Sequence, residues 1–258
     1  MTPSSLPISF KNRILSALPA TVMQQVSPHL SAVDLPRNRT LDEANRAADY
    51  VYFLEDGVCS IVTTMENGTG VEVGVIGSEG FVGISAALGS DFSPNRYFMQ
   101  IPGYGFCMKT GIFTGLVDLN APLRLCLLRS VQGLLVQTAQ TAGCNRLHEL
   151  HERLARWLLM CRDRVQSDQI LVTQEFLAIM LGTRRSSVTV AAGILQKAGL
   201  ITGSRGCVTV QDHTGLEDAA CECYQVVHDE YVRLGLLEQG STEFSTGRVI
   251  RLAIAAEI

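Results

Sequence analysis

Residues 173–201 read TQEFLAIMLGTRRSSVTVAAGILQKAGLI, and this stretch decides the fold of the C-terminal half. Thr173 suits an N-cap, and Glu175 falls in the first turn, where the helix dipole favours a carboxylate. Phe176, Leu177, Met180 and Leu181 recur at helical spacing and form one apolar face. Gly182 fits the left-handed residue that closes such a helix. Thr183 is placed to cap a second helix, whose buried stripe is Val188, Ala191, Ala192 and Leu195 and which Gly199 ends. A helix–turn–helix sets the first residues of its second helix against base edges in the major groove. Here those are Arg184, Arg185, Ser186 and Ser187, followed by Thr189, all suited to phosphate or base contacts. Thr173 and Gln174, where the first helix begins, are expected contacts as well. An ordinary helix pair with a solvated Arg-Arg corner has the same spacing, so the surroundings must decide.

They favour DNA. Residues 201–210, ITGSRGCVTV, read as a hairpin with 203–206 at its tip: a wing that carries Arg205 towards a phosphate or the minor groove. The formal net charge of −4 argues by itself against a nucleic-acid partner, but its distribution does not. Residues 1–120 carry seven basic against eleven acidic side chains, a net of −4. Residues 168–211 carry Arg184, Arg185, Lys197 and Arg205 against Asp168 and Glu175, a net of +2. A small basic face on an acidic protein fits a dimer on a short duplex site rather than a non-specific coating protein.

Upstream, the texture changes twice. Residues 10–30 hold a helical pattern interrupted at Pro19 and ended at Pro28. From about 33 to 110 the pattern is of short strands. Val58, Ser60 and Val62 alternate with Cys59, Ile61 and Thr63, Asn67-Gly68 signals a two-residue hairpin, and Val71, Val73 and Val75 alternate with Glu72 and Gly74. Glycines punctuate residues 77–105, as in an antiparallel β-roll or jelly roll. Residues 121–143 read as a long helix in which Leu128, Val131, Leu135, Thr138 and Ala142 form a heptad seam for a partner helix. Leu127 and Leu134 widen that face enough to touch the chain's own sheet too. Gly143 is expected to weaken the helix. A second helix over 147–165 carries the pairs Glu149–Arg153 and Glu152–Arg156 on its wet side and Leu154, Trp157, Leu158 and Cys161 on its buried side. A short strand is expected over 170–172 and one final helix over 216–236, while RVIRLAIAA in the tail fits either a strand or a helix. The expected class is α+β: a sensor-like β domain over 1–118, a dimerisation helix over 119–147, a winged helix–turn–helix over 148–236 and a tail over 237–258.

In this arrangement the chain resembles the Crp/Fnr transcription regulators, from about residue 12 to residue 230. The residues that carry the resemblance are the 173–201 stretch with its SRGCVTV wing, and VYFLEDGVCSIV followed by VEVGVIGSEGFVG, which is similar to the family's jelly-roll sensor domain. The resemblance implies a bacterial homodimer on a two-fold-related operator, altering transcription nearby, with RNA polymerase as a further partner. Arg185 falls on the family's recognition-helix arginine, which pairs with guanine. In the cAMP receptor protein the next position is Glu and a later one Arg; here they are Ser186 and Val190, so the operator is expected to differ.

The family's cyclic-nucleotide cassette needs Gly-Glu to hold the ribose and Arg followed by Ser or Thr for the phosphate. This chain has Gly83-Ile84-Ser85 and Arg96-Tyr97, so the usual cAMP mode is not expected. The iron–sulfur branch gathers cysteines near its N-terminus, whereas the first cysteine here is Cys59. Cys144, His148 and His151 share a helical face if the helix runs through them, with thiolate and imidazole donors that suit zinc, or they form a polar helix junction. Cys221 and Cys223, two apart on the expected last helix, point to different faces and are not expected to chelate one ion. No cofactor or metal is therefore expected. Eight scattered cysteines, no apolar run near the ~20 residues of a membrane span, and an N-terminus unlike a secretion signal point to a cytoplasmic chain of free thiols. No Gly-rich phosphate loop, nucleophile elbow or H-E-x-x-H helix marks an enzyme. The reading that competes with a DNA-binding regulator is a small-ligand, metal or redox sensor module in which DNA binding is secondary or vestigial.

Overall fold

The computed structural model describes residues 9–237; the tail segment RVIRLAIAA lies outside them. The N-terminal helices are α1 (Arg13–Ser16) and α2 (Ala20–Val26), with Pro19 as the N-cap of α2. Two four-stranded antiparallel sheets come next and face each other. One has the order β1-β8-β3-β6, from Ser31–Leu35, Gly103–Lys109, Tyr50–Leu54 and Phe81–Val82. The other runs β2-β7-β4-β5, from Thr40–Asp42, Arg96–Ile101, Val58–Thr64 and Gly70–Ile76. A short helix, α3 (Ile84–Ala87), lies between β6 and β7. The β4–β5 hairpin forms where Asn67-Gly68 signalled it, but through a loop over 65–69 rather than two residues.

The alternation read along β4 is real, and both of its faces are covered. Cys59 and Ile61 point into the roll with Leu35, Leu54, Tyr97 and Met99. Val58 and Val62 lie in a second core with Leu154, Trp157 and Leu158 of the C-terminal half. This packing buries Glu72 as well. Its carboxylate takes hydrogen bonds from Ser60 Oγ (2.7 Å) and Trp157 Nε1 (2.8 Å).

The chain continues into α4 (Thr110–Leu119) and α5 (Ala121–Leu147). Among the described residues no single helix is long and apolar enough to cross a membrane. The α4–α5 pair would pass on length and composition together, but it is bent by 111°. Its Phe113, Val117, Leu123 and Leu127 pack in the roll's outer core.

Helix α5 runs straight through Gly143, against expectation, because a single glycine costs only about 1 kcal/mol and the helix is packed along its length. The chain breaks instead at His148, which is extended (φ −107°, ψ 150°). Helix α6 (Leu150–Val165) then starts with a reciprocal Glu149–Glu152 capping box. Those glutamates are spent on the cap, so the expected exposed ion pairs do not form. Arg153 turns to Asn145 Oδ1 and the Leu181 carbonyl, and buried Arg156 turns to Thr141.

The C-terminal unit contains β9 (Gln169–Ile170), α7 (Gln174–Met180), α8 (Arg185–Lys197), β10 (Ile201–Ser204) and β11 (Cys207–Val210), with the three strands in one sheet of order β10-β11-β9. The single last helix expected is two, α9 (His213–Ala219) and α10 (Cys223–Arg233), broken at residues 220–222. The break lets α9 pack on α6 and α10 lie along α5.

One polar network ties the halves together. Arg164 of α6 and Glu79 of the β5–β6 corner pair at 2.8 Å with side chains only 3% exposed. Both Glu79 oxygens also accept the Gly77 N–H, and Arg164 donates to the Met160 carbonyl and lies over the Tyr231 ring. A Cβ at Gly77 would sit 2.7 Å from Glu79 Oε2 and 2.8 Å from Arg164 Cγ, so only glycine leaves room for the pair. Gln137 of α5 donates to Tyr231 Oη and to the Val75 carbonyl, and accepts the Val75 N–H.

Removing one partner of a buried ion pair strands the other charge. Arg164→Met is expected to lower unfolding free energy by about 3–5 kcal/mol in urea titrations, and Glu79→Leu added to it to recover most of the loss. Burial pushes the Glu72 carboxyl up to about 7 from 4.5, with its hydrogen bonds to Ser60 and Trp157 opposing only in part. Ser60 Oγ lies 2.5 Å from Gln100 Oε1 as well, so a proton on Glu72 lets the single hydroxyl proton serve Gln100. The folded state therefore holds this proton more tightly than the unfolded chain. The stability it contributes is full below 4.5 and lost as pH rises through about 7. Glu72→Gln should raise the melting temperature by calorimetry at about pH 8, with the gain closing by about pH 5.

Candidate nucleic-acid interface

The helix–turn–helix is built from local signals. Thr173 Oγ1 accepts the Phe176 N–H at 3.2 Å and caps α7. Leu177, Met180 and Leu181 are buried, and Gly182 turns the chain at φ +59°. Thr183 does not cap α8: the N-cap is Arg184, without a side-chain cap bond. Val188, Ala191, Ala192 and Leu195 are buried as the stripe required, and Gly199 leaves the helix at φ +75°. The wing is a tight hairpin in which Ser204 faces Cys207 across a turn of Arg205 and Gly206.

Together these put the first turn of α8 in solvent. Arg184, Arg185, Ser186, Thr189 and Val190 are exposed and Ser187 is half-buried. A groove of about 450 Å³ between α7, α8 and the wing brings Thr173, Gln174, Arg185 and Arg205 to one surface. Arg184, Ser186, Ser187 and Thr189 do not line it, though Thr189 Oγ1 lies 3.0 Å from Gln174 Oε1. The half-buried Thr173 has its hydroxyl engaged in the cap, so its place in the groove depends on the start of α7.

Sequence reasoning missed one member. Glu175, assigned only to the helix dipole, pairs with Arg185 at 2.9 Å, both side chains well exposed. Such a pair contributes at most about 1 kcal/mol in water, so it holds the arginine without locking it. A carboxylate in the first turn of α7 gave no sequence sign of this contact, because only the turn between the helices brings it opposite Arg185.

In the β-roll, Arg96 is engaged at the surface. It contacts Thr40 Oγ1 at 3.0 Å and Glu43 at 3.9 Å, and its guanidinium lies 5.1 Å from the centre of the Phe98 ring. Gly83, at φ +118°, leads directly into α3 and not to a glutamate.

An exposed basic helix N-terminus beside a hairpin wing defines a winged helix–turn–helix, here joined to a β-roll through a long helix. Residues 152–219 match the family model of the Crp-like helix-turn-helix domain. No curated protein matches the chain by sequence. Among solved structures, a putative transcriptional regulator of the Crp/Fnr family from Eubacterium rectale superposes with a TM-score of 0.61 at 17% identity, covering 78% of this chain and 94% of that one. The c-di-GMP responsive global regulator of Xanthomonas campestris gives 0.61 at 18%, covering 74% and 99%. A CRP-family transcriptional regulator from Thermus thermophilus gives 0.61 at 20%, covering 73% and 96%. These identities establish the fold. The chain thus has the fold of those Crp/Fnr regulators, and residues 152–219 form a Crp-like helix–turn–helix domain.

Proposed function

We propose that the protein is a homodimeric, sequence-specific DNA-binding transcription regulator that does not respond to cAMP in the usual way. The observation that carries this reading is the exposed Arg184-Arg185 start of α8, set beside the Arg205 wing in a Crp-like domain. Arg185 reads a guanine from the major groove once Glu175 releases it, and Ser186, Ser187 and Thr189 supply further base or phosphate contacts. Arg184, Arg205 and the groove residues Thr173 and Gln174 position the backbone. Glu175 then acts against promiscuity: its charge repels phosphate, so a correct guanine must displace it.

The seam on α5 supports the dimer. The helix turns Leu123, Leu127, Ser130, Gly133 and Gln137 inward, while Leu128 and Leu135 stand 46% and 62% exposed. Ala142 continues that exposed row, and half-buried Val131 and Thr138 edge it. Pairing two copies along this row removes the leucines from water and sets two recognition helices about one DNA turn, roughly 34 Å, apart on a two-fold operator. Against cAMP stand the missing glutamate, the surface engagement of Arg96 and a roll interior filled by Tyr52, Tyr97, Met99 and aliphatic side chains. RNA polymerase is the further partner of such a regulator at a promoter, and the cytoplasm is the compartment where it meets both.

Two measurements check this. In gel shifts on the protein's own upstream region, Arg185→Ala should weaken specific binding roughly 10- to 100-fold, equivalent to about 1–3 kcal/mol, and Glu175→Gln should tighten non-specific binding. No salt-sensitive binding to any promoter fragment would sink the proposal. In sedimentation velocity the parent should run as a dimer, and Leu128→Glu with Leu135→Glu as a folded monomer.

A further inference from the structure

Two breaks in helical geometry, between α5 and α6 and between α9 and α10, bring four donors together. Cys144 projects from the last turn of α5, His148 sits at the α5–α6 break, and Cys221 and Cys223 flank the start of α10. Cys221 precedes that helix, so the helical argument that separated it from Cys223 does not apply. His151, on α6, is not in the group.

The Sγ atoms of Cys144 and Cys221 are 3.4 Å apart, and Cys223 Sγ is 3.4 Å from His148 Nδ1. All four ligand atoms lie within 4.8 Å of one another. A tetrahedral ion with Zn–S of ~2.3 Å and Zn–N of ~2.0 Å places its donors roughly 3.5–3.8 Å apart, the spacing this group approaches. The donors are too close for a multi-iron cluster, which spreads its ligands over two or more irons. The surroundings are those of ligands too. His148 turns Nδ1 to the cysteines while its Nε2 meets Glu222 Oε2 at 3.2 Å, the carboxylate–histidine arrangement that orients a metal-bound imidazole. Gln140 Nε2 donates to Cys223 Sγ at 3.3 Å, as amides do to coordinated thiolates. The three cysteines form a small buried cluster of their own, separate from the main cores.

We propose that Cys144, His148, Cys221 and Cys223 bind one Zn²⁺ ion in a closed tetrahedral site. On binding, each thiol that is still protonated releases its proton to solvent, leaving three thiolates and a neutral imidazole on the metal and no change of oxidation state. Buried Arg156 and half-buried Arg153 sit on the neighbouring turn of α6, where their positive charge offsets the site's net −1. The ion staples the end of α5 to the α9–α10 corner, segments 77 residues apart in sequence. Arg153 links the same region to the Leu181 carbonyl in the helix–turn–helix, so the metal fixes the joint between α5 and the DNA-facing unit.

The test uses the full-length protein, stripped of metal under a non-thiol reductant without air and titrated with Co²⁺ alone. The expected result is one equivalent per chain, with intense ligand-field bands of tetrahedral thiolate cobalt and sulfur-to-cobalt charge transfer, both erased by added Zn²⁺. Cys144→Ser with Cys223→Ser should lose these bands while Cys126→Ser keeps them. Glu222→Gln, a change at an exposed position, should weaken affinity roughly 10-fold or more. The proposal is overturned if stripped, folded parent protein gives no tetrahedral spectrum, or if the spectrum persists unchanged in the double variant. It fails equally if reductively purified protein holds a Cys144–Cys221 disulfide and no metal.

Discussion

The buried Arg164–Glu79 pair is the contact on which the arrangement of the two halves depends. Two charges withdrawn from water are tolerable only when every remaining donor and acceptor finds a partner. Here the partners are the Gly77 N–H, the Met160 carbonyl, the Tyr231 ring and, through Tyr231, Gln137 with the Val75 backbone. A corner of the β-roll, the long helix, the first helix of the C-terminal unit and the last helix thus share one set of directional bonds. Apolar packing of Val58, Val62 and Val75 against Leu154, Trp157 and Leu158 supplies area without direction. The polar network specifies which way α6 lies across the sheet.

That orientation matters because α6 carries the helix–turn–helix. Val188 and Leu195 of α8 share the α6 core, and Met180 of α7 reaches Ser60 of the sheet. The opposite side of α8 faces water with its arginines. The same chain segment is therefore packed where it meets the β-roll and open on the face that carries the arginines. The Glu175–Arg185 pair keeps that open side from being a bare patch of positive charge.

Much of this was legible in the sequence where local rules act alone. Thr173, Gly182 and Gly199 cap and close helices by bonds within a turn, and the Val188, Ala191, Ala192, Leu195 stripe follows helical periodicity. The exposed and buried rows of α5 likewise follow from its periodicity. What failed involved competition between local and distant partners. The burial of Glu72 was not legible, because alternation along a strand does not show that a second layer covers the sheet. Arg153 and Arg156 were paired with glutamates that the α6 cap had already engaged. Gly143 did not break α5, since packing along its length outweighs one residue's propensity.

By itself, then, the sequence determined an α+β chain with a β-roll, a long helix and a winged helix–turn–helix, and it singled out Arg185 at the head of the second helix. Caps, turns and periodicities need only neighbours in the chain. Tertiary structure alone decided which charges are buried, that Glu175 meets Arg185, and that Cys144, His148, Cys221 and Cys223 converge. Those pairings join residues on separate elements, and their distances depend on how whole elements pack, which no local pattern encodes.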